Sequence, residues 1–70
     1  MDLKNGTITL RELMADPRSA AVFQRRFGRL LRHPMAAMAM PLTLNQLTEM
    51  AAVKLPRKAI EEALEELRGL

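Results

Sequence analysis

The stretch Arg32-His33-Pro34-Met35-Ala36-Ala37-Met38-Ala39-Met40-Pro41 divides the chain into two halves that read alike. Pro34 and Pro41 bracket a segment of Met and Ala with room for one or two helical turns, because each proline removes a backbone N–H and breaks a helix running into it. On the N-terminal side, Thr9-Leu10-Arg11-Glu12 has the pattern of a capping box, in which the hydroxyl accepts the N–H three residues on and the Glu reaches back. Leu10, Leu13 and Met14 then share one side of a short helix that stops near Ala15. Asp16-Pro17 begins a second helix. Asp suits the N-cap, and Pro at the first helical position lacks an N–H that would be unpaired anyway. Ala20, Phe23, Phe27 and Leu30 form its apolar face, and Gly28 is placed to end or bend it.

On the C-terminal side the same order returns. Thr43-Leu44-Asn45-Gln46 is a second capping box with Gln in the reaching position. Leu44, Leu47 and Met50 share a face. Pro56 then opens the last helix, whose apolar stripe is Ile60, Ala63, Leu64 and Leu67, and Gly69 is its expected C-cap. Capping box, short helix, Pro-Arg, longer amphipathic helix: the order occurs twice and reads as an internal repeat. No alternation of strand period competes with it. The sequence therefore predicts an all-α fold, a compact single domain of four to five short helices in two pseudo-repeated helical hairpins. Residues 1–8 read as a polar lead-in containing the turn signal Asn5-Gly6, and residues 9–69 as the single helical domain. The expected core is Leu10, Leu13, Phe23, Phe27, Leu44, Leu47, Ile60, Leu64 and Leu67.

Seventy residues make one small domain, and a chain of this length buries only about 60% of the surface its unfolded form exposes. Disulfides, metals or association usually support such domains. The chain has no cysteine, which removes disulfides, thiolate nucleophiles and thiolate metal sites together. One histidine without matching ligands does not make a zinc site. Association with another chain is the support that is left. Hydrophobic residues at 49% and charged residues at 27% give a globular balance, and the apolar content is Leu, Ala and Met, a helix-forming set. No run approaches a membrane span, and the first residues lack the apolar core of an export signal. The expectation is a cytoplasmic protein without a membrane partner. The net charge of +3 is unevenly placed: residues 1–35 carry seven Lys and Arg against three Asp and Glu, residues 36–70 four against five.

The residues Thr9, Glu12-Leu13, Asp16-Pro17, Phe27-Gly28, Pro34 and Thr43-Leu44-x-x-Leu47 together resemble a known family. This is the small helical domain of unknown function associated with hybrid-cluster proteins, often described as a redox-disulfide domain. Similar cysteine-free helical modules stand at the ends of larger bacterial proteins, including glycoside hydrolases. The resemblance covers roughly Thr7 to Leu70 and implies a compact helical fold. The family carries Cys-x-x-Cys just before the linker proline, where this chain has Leu30-Leu31-Arg32-His33-Pro34. Thiol–disulfide exchange needs a thiolate to attack and a second sulfur to receive it, so the resemblance implies the fold and withholds the activity.

Met35, Met38 and Met40 offer thioethers, which suit Cu(I), but methionine more often fills irregular gaps or adaptable contact surfaces. They read as a contact segment, with no cofactor expected. Arg25, Arg26, Arg29 and Arg32 are the sharpest charged feature, with Arg25, Arg29 and Arg32 falling together on a continuous helix. Arginines of this kind meet phosphates, although no aromatic residues are interleaved for stacking on bases. A helix-turn-helix reading of residues 43–67 is rejected, because Glu61, Glu62, Glu65 and Glu66 would face the phosphates. Those glutamates are better placed to meet the arginine face, within the chain or across an interface. His33 reads as a helix-end residue. The hydroxyls read mostly as caps, and nothing supplies a nucleophile with its base and orienting group, so an enzyme is not expected. The reading is a non-enzymatic protein-interaction or oligomerisation module. It self-associates or joins a larger protein chain through Met35, Met38, Met40, Arg25, Arg29 and Arg32. The alternative is a basic nucleic-acid-binding module on Arg25, Arg26, Arg29 and Arg32. Phosphate binding collapses steeply as salt rises, whereas an apolar interface persists.

Overall fold

The computed structural model describes residues 1–70 and shows five helices: α1 (Leu10–Ala15), α2 (Pro17–Leu31), α3 (Ala36–Ala39), α4 (Leu44–Ala51) and α5 (Arg57–Arg68). A single residue turns α1 into α2. Asp16 is extended, its carboxylate accepts the Arg18 N–H at 2.9 Å, and Pro17 occupies the first helical position. The corner is locked from inside by Ser19, which is fully buried and whose hydroxyl donates to the Leu13 carbonyl and, at 3.3 Å, to that of Asp16. A buried hydroxyl without such partners would destabilise the fold, and here both acceptors are carbonyls at the end of α1.

The two threonine caps form as their spacing predicts. Thr43 and Gln46 make the complete reciprocal box, with Gln46 N–H to Thr43 Oγ1 at 3.2 Å and Thr43 N–H to Gln46 Oε1 at 2.8 Å. Thr9 accepts the Glu12 N–H at 3.2 Å, but the Glu12 carboxylate turns outward to Lys4 at 3.5 Å. The caps also meet each other. Thr9 and Thr43 face across an isolated antiparallel bridge, in which the Leu10 N–H donates to the Leu42 carbonyl at 2.9 Å and the Leu44 N–H to the Ile8 carbonyl at 2.8 Å. The repeat is therefore a local near-symmetry of backbone bonds. It ends there, since α1 and α2 share a one-residue corner while α4 and α5 are separated by residues 52–56.

Residues 1–8 are not a lead-in outside the domain. Leu3 and Ile8 are buried in the core, and a left-handed turn at Lys4, Asn5 and Gly6 (φ 53°, 57° and 84°) brings them both inward. Polar neighbours mask these two residues in a composition reading, but the turn between them points their side chains the same way. The turn rests on α4, where the Asn45 side-chain amide donates to the Asn5 carbonyl at 3.1 Å. Gly6 lies so close to Asn45 that a Cβ there would overlap the amide.

Helix α2 runs on to Leu31, and Gly28 bends rather than ends it: Phe27, just before the glycine, leaves helical geometry (φ −130°, ψ 28°). Leu3, Ile8, Leu10, Leu13, Val22, Phe23, Leu44 and Leu67 make one core, to which Ile60 and Ala63 of α5 add buried surface. Phe27, Leu47 and Leu64, expected inside, are half-buried. The radius of gyration, 11.0 Å, matches the value of about 11 Å for a compact chain of this length, so their exposure does not come from an expanded fold. No helix is long and apolar enough to cross a membrane.

Replacing Gly6 by Ala forces a side chain into a left-handed position against Asn45 and should lower the unfolding free energy by about 1–3 kcal/mol. Thr43→Ala should cost about 1 kcal/mol by removing the cap. Urea unfolding followed by circular dichroism measures both.

Candidate interaction groove

Helix α2 is longer than its cover. α1 and α5 are its packing partners, and they reach its last turns only through Leu10 and Ala59, which leaves that end partly open. Beyond Phe23, the side chains of Phe27, Leu30 and Leu31 line a groove closed on the other sides by α3 and α4. α3 contributes Ala36 and Ala39, whose small side chains let the backbone come close without filling the space. α4 contributes Leu47 and Ala51, and Leu55 closes the end. The groove encloses about 160 Å³ and every lining residue is hydrophobic. Leu30, at its mouth, is 56% exposed.

The methionine segment forms one wall, and its three sulfurs do not share an environment. Met35 and Met38 are 56% and 67% exposed, whereas Met40 is half-buried and packs on the core. The Met40 carbonyl accepts the Arg11 N–H at 2.9 Å, which draws this residue inward towards α1. Met40 therefore belongs to the packing rather than to a free contact surface. His33 caps the turn that leads into the segment, its Nδ1 accepting the Met35 N–H at 3.1 Å. No three His, Asp or Glu side chains converge in a way that would hold a metal ion.

The four arginines divide into two pairs. Arg25 and Arg26 reach α5: Arg25 donates to Glu66, Arg26 Nε lies 2.7 Å from the other Glu66 oxygen, and Arg26 Nη1 lies 3.9 Å from Glu62. The arginine and glutamate faces thus meet within the chain. Hydrogen bonds from Arg26 and then Arg25 hold the Glu66 carboxyl below its usual range. In the same way the Arg18 side chain, followed by its backbone N–H, lowers Asp16. Arg29 and Arg32 meet α5 at Ala59 rather than at a glutamate and take part in none of the ion pairs. The Arg32 guanidinium lies back along the helix beside Gly28, 3.8 Å from where a Cβ on that glycine would be. Both arginines line a second cleft that shares Phe27, Leu30 and Leu55 with the groove. No acidic residue lines either one.

Two residues of this site escape a reading by motif: Ala51 and Leu55. Leu30 carried a signal, since it continues the spacing of Phe23 and Phe27 past Gly28. Ala51 and Leu55 carry none, because nothing in their neighbours shows that α2 overhangs. No family model, curated protein or solved structure matches the chain.

The depressed Glu66 carboxyl makes a contribution to stability that is complete above the ordinary glutamate value of 4.5 and is lost as pH falls through its lower folded value. Thermal melts between neutral pH and about pH 3 should show this loss in the parent chain, and a shallower one in Glu66→Gln, which has no charge to titrate there.

Proposed function

We propose that this chain is a non-enzymatic interaction module whose working surface is the groove between α2, α3 and α4. The observation that carries the proposal is a recess lined wholly by hydrophobic residues with exposed Leu30 at its mouth, one wall being the short segment that also carries exposed Met35 and Met38. Scattered apolar residues on a surface need no explanation, but a recessed apolar strip edged by exposed Met and Leu is the composition of a docking surface. Methionine suits such a surface because its unbranched thioether adapts to the shape it meets.

The stretch that the resemblance matches to a thiol pair supports the same reading. Leu30 and His33 stand at the two thiol positions, and Leu30 lines the groove together with its neighbour Leu31. The nucleic-acid alternative has Arg29 and Arg32 in its favour, since both are free. Two phosphate contacts give a salt dependence with a log–log slope of about −2, far shallower than that of proteins making many such contacts. Their apolar surroundings would also be left uncovered by a phosphate backbone. A protein partner uses both features.

The test is a titration with amphipathic helical peptides, followed through the methionine methyl resonances. Met35 and Met38 should shift while Met14, half-buried on α1, stays in place. Leu30→Asp, at an exposed position, should weaken binding at least about 10-fold and leave the melting temperature within a few degrees of the parent. Methionine resonances that respond to no peptide, in a chain that sediments as a monomer at every concentration, would overturn the proposal.

A further inference from the structure

Resting on the interaction reading, we infer that the groove takes an acidic amphipathic helix from a different chain. The backbone argument comes first. The groove is walled by helices, and its lining residues are all hydrophobic. An extended peptide laid there would leave N–H and C=O groups facing apolar side chains with nothing to pair with, at a large desolvation cost. The one backbone bridge of the fold, Thr9 with Thr43, is already made between the chain's own segments, and there is no sheet edge to which a strand could add. A helix satisfies its own backbone and presents side chains alone. The occupant is therefore helical, with apolar residues at i, i+3 or i+4, and i+7 directed into the groove.

Charge selects its flanks. Arg29 and Arg32 border the groove without an acidic partner, and neither cleft has a carboxylate in its lining. Asp or Glu along the edge of the incoming helix would meet them. Arginine pairs well with carboxylates because its planar fork donates two parallel bonds.

A second copy of this chain does not fit. A two-fold interface sets the same patch against itself, which would gather Arg29 and Arg32 of both copies into one interface whose lining has no carboxylate to offset them. The acidic helix this chain does possess is α5, with Glu61, Glu62 and Glu65 exposed. Its apolar stripe, however, is spent on the core: Ile60, Ala63 and Leu67 are buried. It cannot enter a neighbour's groove without unfolding its own domain.

The test uses three synthetic helices with one apolar stripe and with Glu, Gln or Lys flanks, titrated against the intact chain. The Glu helix should bind about 3- to 10-fold tighter than the Gln helix, as expected for two exposed ion pairs, and the Lys helix more weakly than either. Substituting both Arg29 and Arg32 by Gln should bring the Glu helix down to the affinity of the Gln helix and leave the latter unchanged. Equal binding of the Glu and Gln helices to the parent chain would overturn the acidic partner while the interaction reading stands. Self-association that saturates Met35 and Met38 and excludes every peptide would make the occupant a second copy, against this inference. Co-sedimentation with phosphatidylglycerol–phosphatidylcholine vesicles in the absence of peptide binding would assign the surface to lipid, again against it. No response in any arm would remove both the partner and the interaction reading.

Discussion

The fold depends on two backbone hydrogen bonds that tie Ile8–Leu10 to Leu42–Leu44. Each bond joins the start of one short helix to the residue ahead of the other, so α1 and α4 cap each other through the main chain while Thr9 and Thr43 cap them through side chains. Helix starts expose N–H groups that must find partners, and in a chain this small there is little interior in which to hide them. By placing the two starts face to face, the bridge satisfies both with a minimum of chain. It also sets the positions of the neighbouring elements. α4 is set beside Leu3 and Ile8, the left-handed turn at Asn5-Gly6 comes to rest on Asn45, and the linker between the halves must span from the end of α2 back to Leu42. That return path lays α3 along the end of α2 and makes the groove.

The groove is also a result of size. Hydrophobic residues are 49% of the sequence, yet eleven residues of the seventy are buried. A larger domain would absorb the surplus, whereas a small one must show it somewhere. Part of the surplus gathers at the groove, while Met50 and Val53 are exposed outside it. The half-buried Phe27 and Leu47 border the space that Leu30 and Leu31 overhang, and Ala36 and Ala39 form the facing wall on the segment that carries exposed Met35 and Met38. Charge is arranged with the same economy. Where α5 crosses α2, arginine meets glutamate and the pair is internal to the molecule. One turn further on α2, α5 offers Ala59 rather than a glutamate, and Arg29 and Arg32 make no ion pair.

The elements most legible in the sequence are those whose cause is local. Thr9, Asp16, Thr43 and the proline after Asp16 announce their helix starts because a cap bonds to a backbone group two or three residues away. Leu10, Leu13, Phe23, Leu44, Ile60 and Leu67 are legible as core because helical spacing puts them on one face. Leu3 and Ile8 are not, since their burial depends on a turn that rests on Asn45, far along the chain. Gly28 illustrates the limit of a local rule: it favours a break, but α2 loses only one residue of helical geometry there and gains another turn of apolar surface. The arginine run hid its division for the same reason. Spacing places Arg25, Arg29 and Arg32 together, and the position of α5 separates them.

Helix α3 is held differently from the others. Four residues are too few to stand as a helix on their own, and its N-cap, Met35, contributes no side-chain bond. Its order is borrowed from His33 at one end and from the Arg11–Met40 bond at the other. The wall of the groove is thus a different material from its α2 side. Its amides should trade hydrogen with solvent well before those in the middle of α2, since local opening there breaks little else. A wall that yields while the opposite side holds lets one recess close on side chains of unequal size. For a partner of the kind proposed above, the breadth of fit would then be set by how loosely this single turn is pinned.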